Sequence, residues 1–328
     1  MNNSKSKTLI FTLLFPYIYL ILFLAIPTNV IAVLPHDIRA VNTAITLEGI
    51  EQNSSIHTVS VIAMPYVTPF MLMIYNLSSR VDLRTPSIND QDLTIFERAR
   101  QARLSKESSL ISSVIVSYTL AMNSNPNVII EYQFTGLRIN YRDPIHHQLN
   151  IADQILSVNG INESAELMIQ EFRTSETLLL EIRPYDKIDD ENSSQTFQIE
   201  NIGKGWSFFS WYNIDQEVTY PKFSFPILNQ FIGGPSGGAM QTLSLYVDLT
   251  EIKINQKIVG TGTINSDGSV GRIGGLRQKV YAALDANATI FFLPASQFNE
   301  VADLTNKIRL VPINNIEEAI GVIHEINQ

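Results

Sequence analysis

Ser236 lies in Ile232-Gly233-Gly234-Pro235-Ser236-Gly237-Gly238-Ala239-Met240, where four glycines surround one hydroxyl and an apolar-periodic stretch follows through Met240, Leu243 and Val247. Serine is a good helix N-cap, so one reading is a capped helix after a tight turn. A second reading puts the hydroxyl at the positive end of a helix beside bare backbone N–H groups, which suits a nucleophile and its oxyanion. A nucleophilic serine needs a base. The five histidines, His36, His57, His146, His147 and His324, stand in no recognisable triad context. Lys279 is the other candidate. In a helix over 276–286 it has Gly275 at i−4, Leu276 at i−3, Ala282 at i+3 and Ala283 at i+4, with no carboxylate at these spacings. Such a face would desolvate the amine and lower its pKa from ~10.4 toward the ~7–8 of a general base. The competing reading buries only the stem and leaves the ammonium in water.

Whether the two side chains meet depends on the elements that carry them. Residues 257–264 read as a strand, followed by a glycine-rich stretch from Asp267 to Gly275. Residues 289–293 and 307–313 read as two further strands, and a last helix opens at Asn315 with Glu317 and Glu318 in its first turn. Upstream, residues 44–49 and 57–63 read as strands and 95–122 as one or two helices. Between these parts, residues 136–184 hold a strand, an Asn159-Gly160 turn, a helix over 163–172 and a strand over 177–182, which suggests a small module. The breaks are Asn123–Asn127 and the polar run Asp186–Gln195. The stretch Lys222-Phe223-Ser224-Phe225-Pro226-Ile227 alternates and its proline suits an edge, so Phe223 and Phe225 are candidates for pairing with a substrate strand. The fold class expected is α+β.

Three blocks in order carry a resemblance. They are the Gly-Gly-Pro-Ser236-Gly-Gly turn, Gly260-Thr261-Gly262-Thr263-Ile264, and Ile273-Gly274-Gly275-Leu276-Arg277-Gln278-Lys279 with the helix after it. Together they resemble the proteolytic domain of Lon proteases. Leu149–Gly160 is similar to the PDZ stretch of membrane-anchored, PDZ-containing Lon-like proteases of low-GC Gram-positive bacteria, and residues 45–49 and 57–61 look like that group's N-terminal strands. The resemblance implies an anchor and tail over 1–35, a Lon-type domain built from 36–125 and 201–328, and a PDZ-like module over 126–200 inserted between them. It implies Ser236 as nucleophile, Lys279 as general base, Thr261 holding the lysine, and the backbone at Ser236 and Gly237 serving the oxyanion. The module's carboxylate-binding loop would be Gly136-Leu137-Arg138-Ile139. Gly233 stands where many Lon proteases carry an acid, and Gly238 where alanine is usual, a change read as mild.

From Thr8 to Pro35 no side chain is charged, with Lys5 and Lys7 before the stretch and His36, Asp37 and Arg39 after it. That is long enough to cross a bilayer and leaves the rest of the chain outside the cell membrane. A cleaved leader ending near Ala32 is the alternative. The 328 residues, 45% hydrophobic and 17% charged, form a folding chain, and a net charge of −9 argues against a nucleic-acid partner. Absence of cysteine excludes disulfides and thiolate chemistry. No phosphate loop of the GxxxxGK[ST] type and no HExxH motif occurs in the sequence, so neither a nucleotide, a metal nor another cofactor is expected. The expected activity is ATP-independent serine endopeptidase action on accessible or secreted peptides, with a homo-oligomer left open. The rivals are an inactive membrane-tethered peptide-binding scaffold and a soluble secreted protease.

Overall fold

The computed structural model describes residues 2–86, 92–203, 205–226 and 234–326, with side chains from residue 13 onward. The first part of the chain supplies β1 (Ile31–Ala40), β2 (Thr46–Leu47), β3 (Ile56–Met64) and β4 (Asp82–Arg84). The middle supplies β5 (Tyr132–Arg142), β6 (Gln154–Val158), β7 (Thr177–Arg183), β8 (Gln195–Glu200) and β9 (Trp206–Ile214). The last part supplies β10 (Phe223–Ser224), β11 (Ile258–Gly260), β12 (Thr263–Ile264), β13 (Val270–Gly271), β14 (Ile290–Pro294) and β15 (Arg309–Ile313).

Two sheets result. A six-stranded sheet runs β15-β14-β11-β3-β1-β4, parallel from β15 to β3 and antiparallel beyond. Its strand β14, Ile290-Phe291-Phe292-Leu293-Pro294, is buried at every position, as a central strand covered on both faces must be. On one face pack the helices Gly238–Leu249 and Ile316–Ile326; on the other lies Leu276–Asp285, against β1 and β3. The second sheet, β8-β7-β6-β5-β9, is antiparallel. In β7, Leu178, Leu180 and Ile182 point inward and alternate with outward residues, packing on Met168 and Phe172 of the helix Ala165–Thr174.

The long helix Ile95–Ala121 joins the two bodies. Thr94 and Glu97 form a reciprocal capping box at its start. Its first turns bond the five-stranded sheet, Glu97 to Arg142 and Gln101 to the Asn140 carbonyl. Its later turns lie along Gly238–Leu249. Serines at 105, 109, 113 and 117, one per turn, keep this face narrow; Ser113 Oγ donates to the carbonyls of Ser109 and Gly238.

Several expectations need correction. The five-stranded sheet includes β9, so the middle module runs to Ile214 and not to 200, because Trp206–Ile214 pairs along the whole of β5. The stretch expected to anchor the chain splits: a helix spans Asn2–Ala25, and Ile31 already opens β1, where Ala32 and Val33 are buried. Pro27 and the β-branched residues after it account for the change. Among the described residues no helix is long and apolar enough to cross a membrane. A cut after Ala32 would fall inside a sheet strand. The expected strand over 257–264 breaks into β11 and β12, with Thr261 and Gly262 in the gap.

Candidate active site

Thr261 follows the last residue of β11, and its N–H donates to the carbonyl of Phe292 in neighbouring β14. The site therefore sits at the carboxyl end of parallel strands, where side chains from several elements converge. Ser236 is the middle residue of a single 3₁₀ turn, Pro235–Gly237, that leads into the helix Gly238–Leu249. It makes no capping bond; the N-cap position belongs to Gly237. The turn is held by its backbone. The Ser236 carbonyl accepts from Gly262 N–H at 2.8 Å and from Thr261 Oγ1 at 2.9 Å, and the Pro235 carbonyl accepts from Ser109 Oγ at 3.2 Å. With the backbone so committed, the Ser236 hydroxyl is left for other work.

Lys279 reaches it from the opposite side. Gly275, at φ +66°, occupies the left-handed region and starts the helix Leu276–Asp285. One turn later Lys279 enters the interior, 3% exposed, among Leu276, Val280, Ala282 and Ala283. Its Nζ lies 2.6 Å from Ser236 Oγ and 3.0 Å from Thr261 Oγ1. Burial pulls its pKa down from 10.5 to about 8. Thr261 is fully buried, and its hydroxyl hydrogen is spent on the Ser236 carbonyl, so its lone pair can only accept from the lysine. That fixes one N–H of a neutral amine on Thr261 and leaves the nitrogen lone pair for the proton of Ser236.

The pair opens on a cleft of about 780 Å³ lined by β1, β3, the long helix and the Ser236 turn. Gly237 and Thr58 face each other across one wall; a Cβ on Gly237 would stand 3.2 Å from Thr58 Oγ1. Gly238 is not a mild variation on alanine. A Cβ there would stand 2.4 Å from Ser109 Oγ and 2.7 Å from Ile264 Cγ2.

Ser236, Lys279, Thr261 and Gly237 thus come together, while the other candidates lie apart. Gly136, Leu137, Arg138 and Ile139 are inside β5, which is bonded to β6 on one side and β9 on the other, so no free edge exists there for an added peptide strand. Leu137 and Ile139 are core residues, and Arg138 stacks its guanidinium on Trp211 at 3.7 Å. Phe223 is also a core residue, in β10 paired with β2, its ring against Tyr118 and Phe225. Neither Phe223 nor Phe225 lines the cleft. The expectations about Ile227 and Gly233 lie outside the described residues. Ser109, Lys106, Arg39 and Thr58 border the site without having been singled out; the one-per-turn serine spacing of the long helix was the available signal for Ser109.

Residues 217–325 match the Lon protease (S16) C-terminal proteolytic domain. Similar curated proteins include the Lon protease of Xanthomonas oryzae pv. oryzae, 32% identical over 96 residues, covering 28% of this chain and 11% of the relative. The Lon protease of Trichlorobacter lovleyi is 30% identical over 96 residues, covering 28% of this chain and 12% of the relative. That of Endomicrobium trichonymphae is 29% identical over 138 residues, covering 41% and 16%. The chain therefore spans only a small part of the length of the curated relatives it matches.

Proposed function

We propose that this chain is a serine endopeptidase working through a Ser236–Lys279 dyad, on the premise that residues 217–325 match a Lon-type proteolytic domain. The observation that carries the reading is the 2.6 Å approach of a buried lysine amine to the hydroxyl of a serine that does no capping. Neutral Lys279 takes the Ser236 proton as Oγ attacks a peptide carbonyl carbon. A tetrahedral oxyanion forms, and the protonated amine then delivers its proton to the leaving nitrogen. An acyl-serine remains, and water attacks it with the same lysine as base. Thr261 is a positioning residue that aims the amine. The N–H groups at the start of the serine helix stabilise the oxyanion, aided by the helix dipole.

The proposal extends to setting. The charge-free N-terminal stretch, whose described side chains from Leu13 to Leu24 are mostly exposed and apolar, tethers the domain to a membrane, with the site on the outer face. The five-stranded module is the PDZ-like insertion, and accessible peptides are cut without nucleotide. The test is cleavage of unfolded protein and peptides by the full chain in detergent, without nucleotide. Ser236→Ala and Lys279→Met should each abolish it, and cleavage that persists in both would remove the dyad. Fractionation of cells, with protease added from outside, tests the tether.

A further inference from the structure

Strands β1 and β3 bring two apolar helices to one corner of the molecule. Ala32, near the start of β1, is the register partner of Met64 at the end of β3. The helix before β1 and the chain after β3 therefore leave the sheet side by side. From Thr58 to Ser79 no side chain is charged, and this stretch holds a second helix, Pro69–Tyr75, with the sequence Pro-Phe-Met-Leu-Met-Ile-Tyr. Thr68 caps it by accepting from Met71 N–H at 3.3 Å. Not one residue of that helix is buried. Met73 is 53% exposed and Leu77, just past the helix end, 86%; Tyr66, Phe70 and Ile74 are exposed as well. A helix that is apolar all round belongs in a core or in lipid, and this one is not in a core.

The two helices are joined. Thr28 donates both its N–H, at 2.9 Å, and its hydroxyl, at 2.6 Å, to the Val67 carbonyl. Phe23 of the N-terminal helix meets Phe70 edge to face, with ring centroids 6.1 Å apart. The exposed apolar surface of the second helix thus continues that of the first, where Leu24 and Ile26 are also exposed. A protein partner is a poor match for this surface. Protein interfaces carry about one hydrogen bond per 100–200 Å², whereas the one side-chain polar group of the helix, the Tyr75 hydroxyl, is turned onto Met64 Sδ. At about 10 Å long, seven helical residues are also small beside the ~800 Å² that each partner of a stable complex buries.

We propose that Pro69–Tyr75, with Tyr66 and Leu77 at its two ends, lies in the boundary layer of a lipid bilayer beside the N-terminal helix. The proposal rests on the membrane tether put forward above and adds a second lipid contact, which fixes how the domain stands on the membrane. Tyr66 suits the headgroup level, where tyrosine rings are enriched. The stretch of β3 from Thr58, on the cleft wall, to Met64 is about 20 Å long. The Ser236 cleft is therefore held close to the lipid surface.

The chain contains no cysteine, so single cysteines can be labelled cleanly. Full chains carrying Met73→Cys, Leu77→Cys, Leu20→Cys or the exposed loop change Asn192→Cys are labelled with a polarity-sensitive fluorophore. Each is reconstituted in phosphatidylcholine–phosphatidylglycerol vesicles with nitroxide on the acyl chains. Labels at 73 and 77 should be quenched at least about threefold more than the label at 192, as insertion ~5–10 Å into the boundary requires. Quenching at 20 but not at 73 and 77 overturns the proposal and leaves the tether standing. No quenching at any position overturns the tether and the proposal together. Shielding of residue 73 from aqueous iodide that grows with the number of chains per vesicle, without lipid quenching, places a second copy on this face and also overturns it.

Discussion

At the scale of single residues, the cost of burying Lys279 is the feature with the widest consequences. Its folded pKa of about 8 lies below the 10.5 of a free lysine. Below pH 8 the amine is protonated in both states, and the folded state bears the full penalty, about 3 kcal/mol. The penalty shrinks between pH 8 and 10.5 and is gone above that. Lys279→Met should therefore be more stable than the parent by up to about 3 kcal/mol near neutrality. That advantage should vanish above about pH 10.5 in urea titrations; a stability loss at pH 7 would speak against a desolvated amine. Thr261 makes a different prediction. Thr261→Val keeps the shape but removes the acceptor for Lys279 and the donor to Ser236, so kcat should fall by roughly 10- to 100-fold with KM little changed. Thr261→Ser should restore most of the rate. Ser236 and Lys279 each stood out, as a glycine-flanked serine and a lysine without carboxylate neighbours, but only the family resemblance implied that they pair. Thr58 did not stand out, since one hydroxyl in an apolar strand gives no sign that it will be buried without a partner among the described residues.

At the scale of elements, the geometry depends on how closely the long helix approaches the Ser236 turn. The serine at 109 and the glycine at 238 are fitted to each other, and neither pattern reveals the other in sequence. Gly238→Ala would push Ser109 and Ile264 aside and should cost about 1–3 kcal/mol in thermal or urea unfolding. Peptidase activity should fall by more than stability alone explains, because Ser109 also holds the Pro235 carbonyl. Unchanged activity in a folded Gly238→Ala protein would mean that the turn tolerates the displacement. The strands and helices of the last third were readable because each is a short buried run or an amphipathic segment between glycines. The break between β11 and β12 was not, because Thr261 and Gly262 continue the β-branched, small-residue pattern while their backbone bonds go to Phe292, Ser236 and Ala239. Phe223 and Phe225 misled for a related reason. Alternation predicts a strand but not which face is covered, and Tyr118 covers Phe223.

At the scale of the whole molecule, one helix serves both bodies, and its ion pairs Glu97–Arg142 and Glu107–Arg138 mark the joint. Arg142 Nη2 lies 2.8 Å from Glu97, with the arginine side chain 8% exposed, and Arg142 Nε also donates to the Leu149 carbonyl. Glu97→Ala would leave that guanidinium without its carboxylate and break the capping box, an expected loss of about 3 kcal/mol by urea unfolding. A change under about 0.5 kcal/mol would indicate that water reaches the joint. A small module of its own was legible from the Asn159-Gly160 turn and the polar run at 186–195, while its insertion into one domain was implied only by the family resemblance. Its far boundary was not, because β9 reads locally as an aromatic strand that could join either sheet, and only its pairing along β5 decides. The N-terminal stretch was read too long because absence of charge does not distinguish an apolar helix from the buried strand β1 that follows it.

The central claim is that Lys279 activates Ser236, and the most direct measurement is the rate at which a fluorophosphonate reagent labels Ser236, followed by mass spectrometry from pH 6 to 10. A single label on Ser236 is expected, with a rate that rises with loss of one proton at about pH 8, and a Lys279→Met protein labelled at least ~100-fold more slowly across that range. Labelling of Ser236 at the same rate and with the same pH profile in Lys279→Met would contradict it.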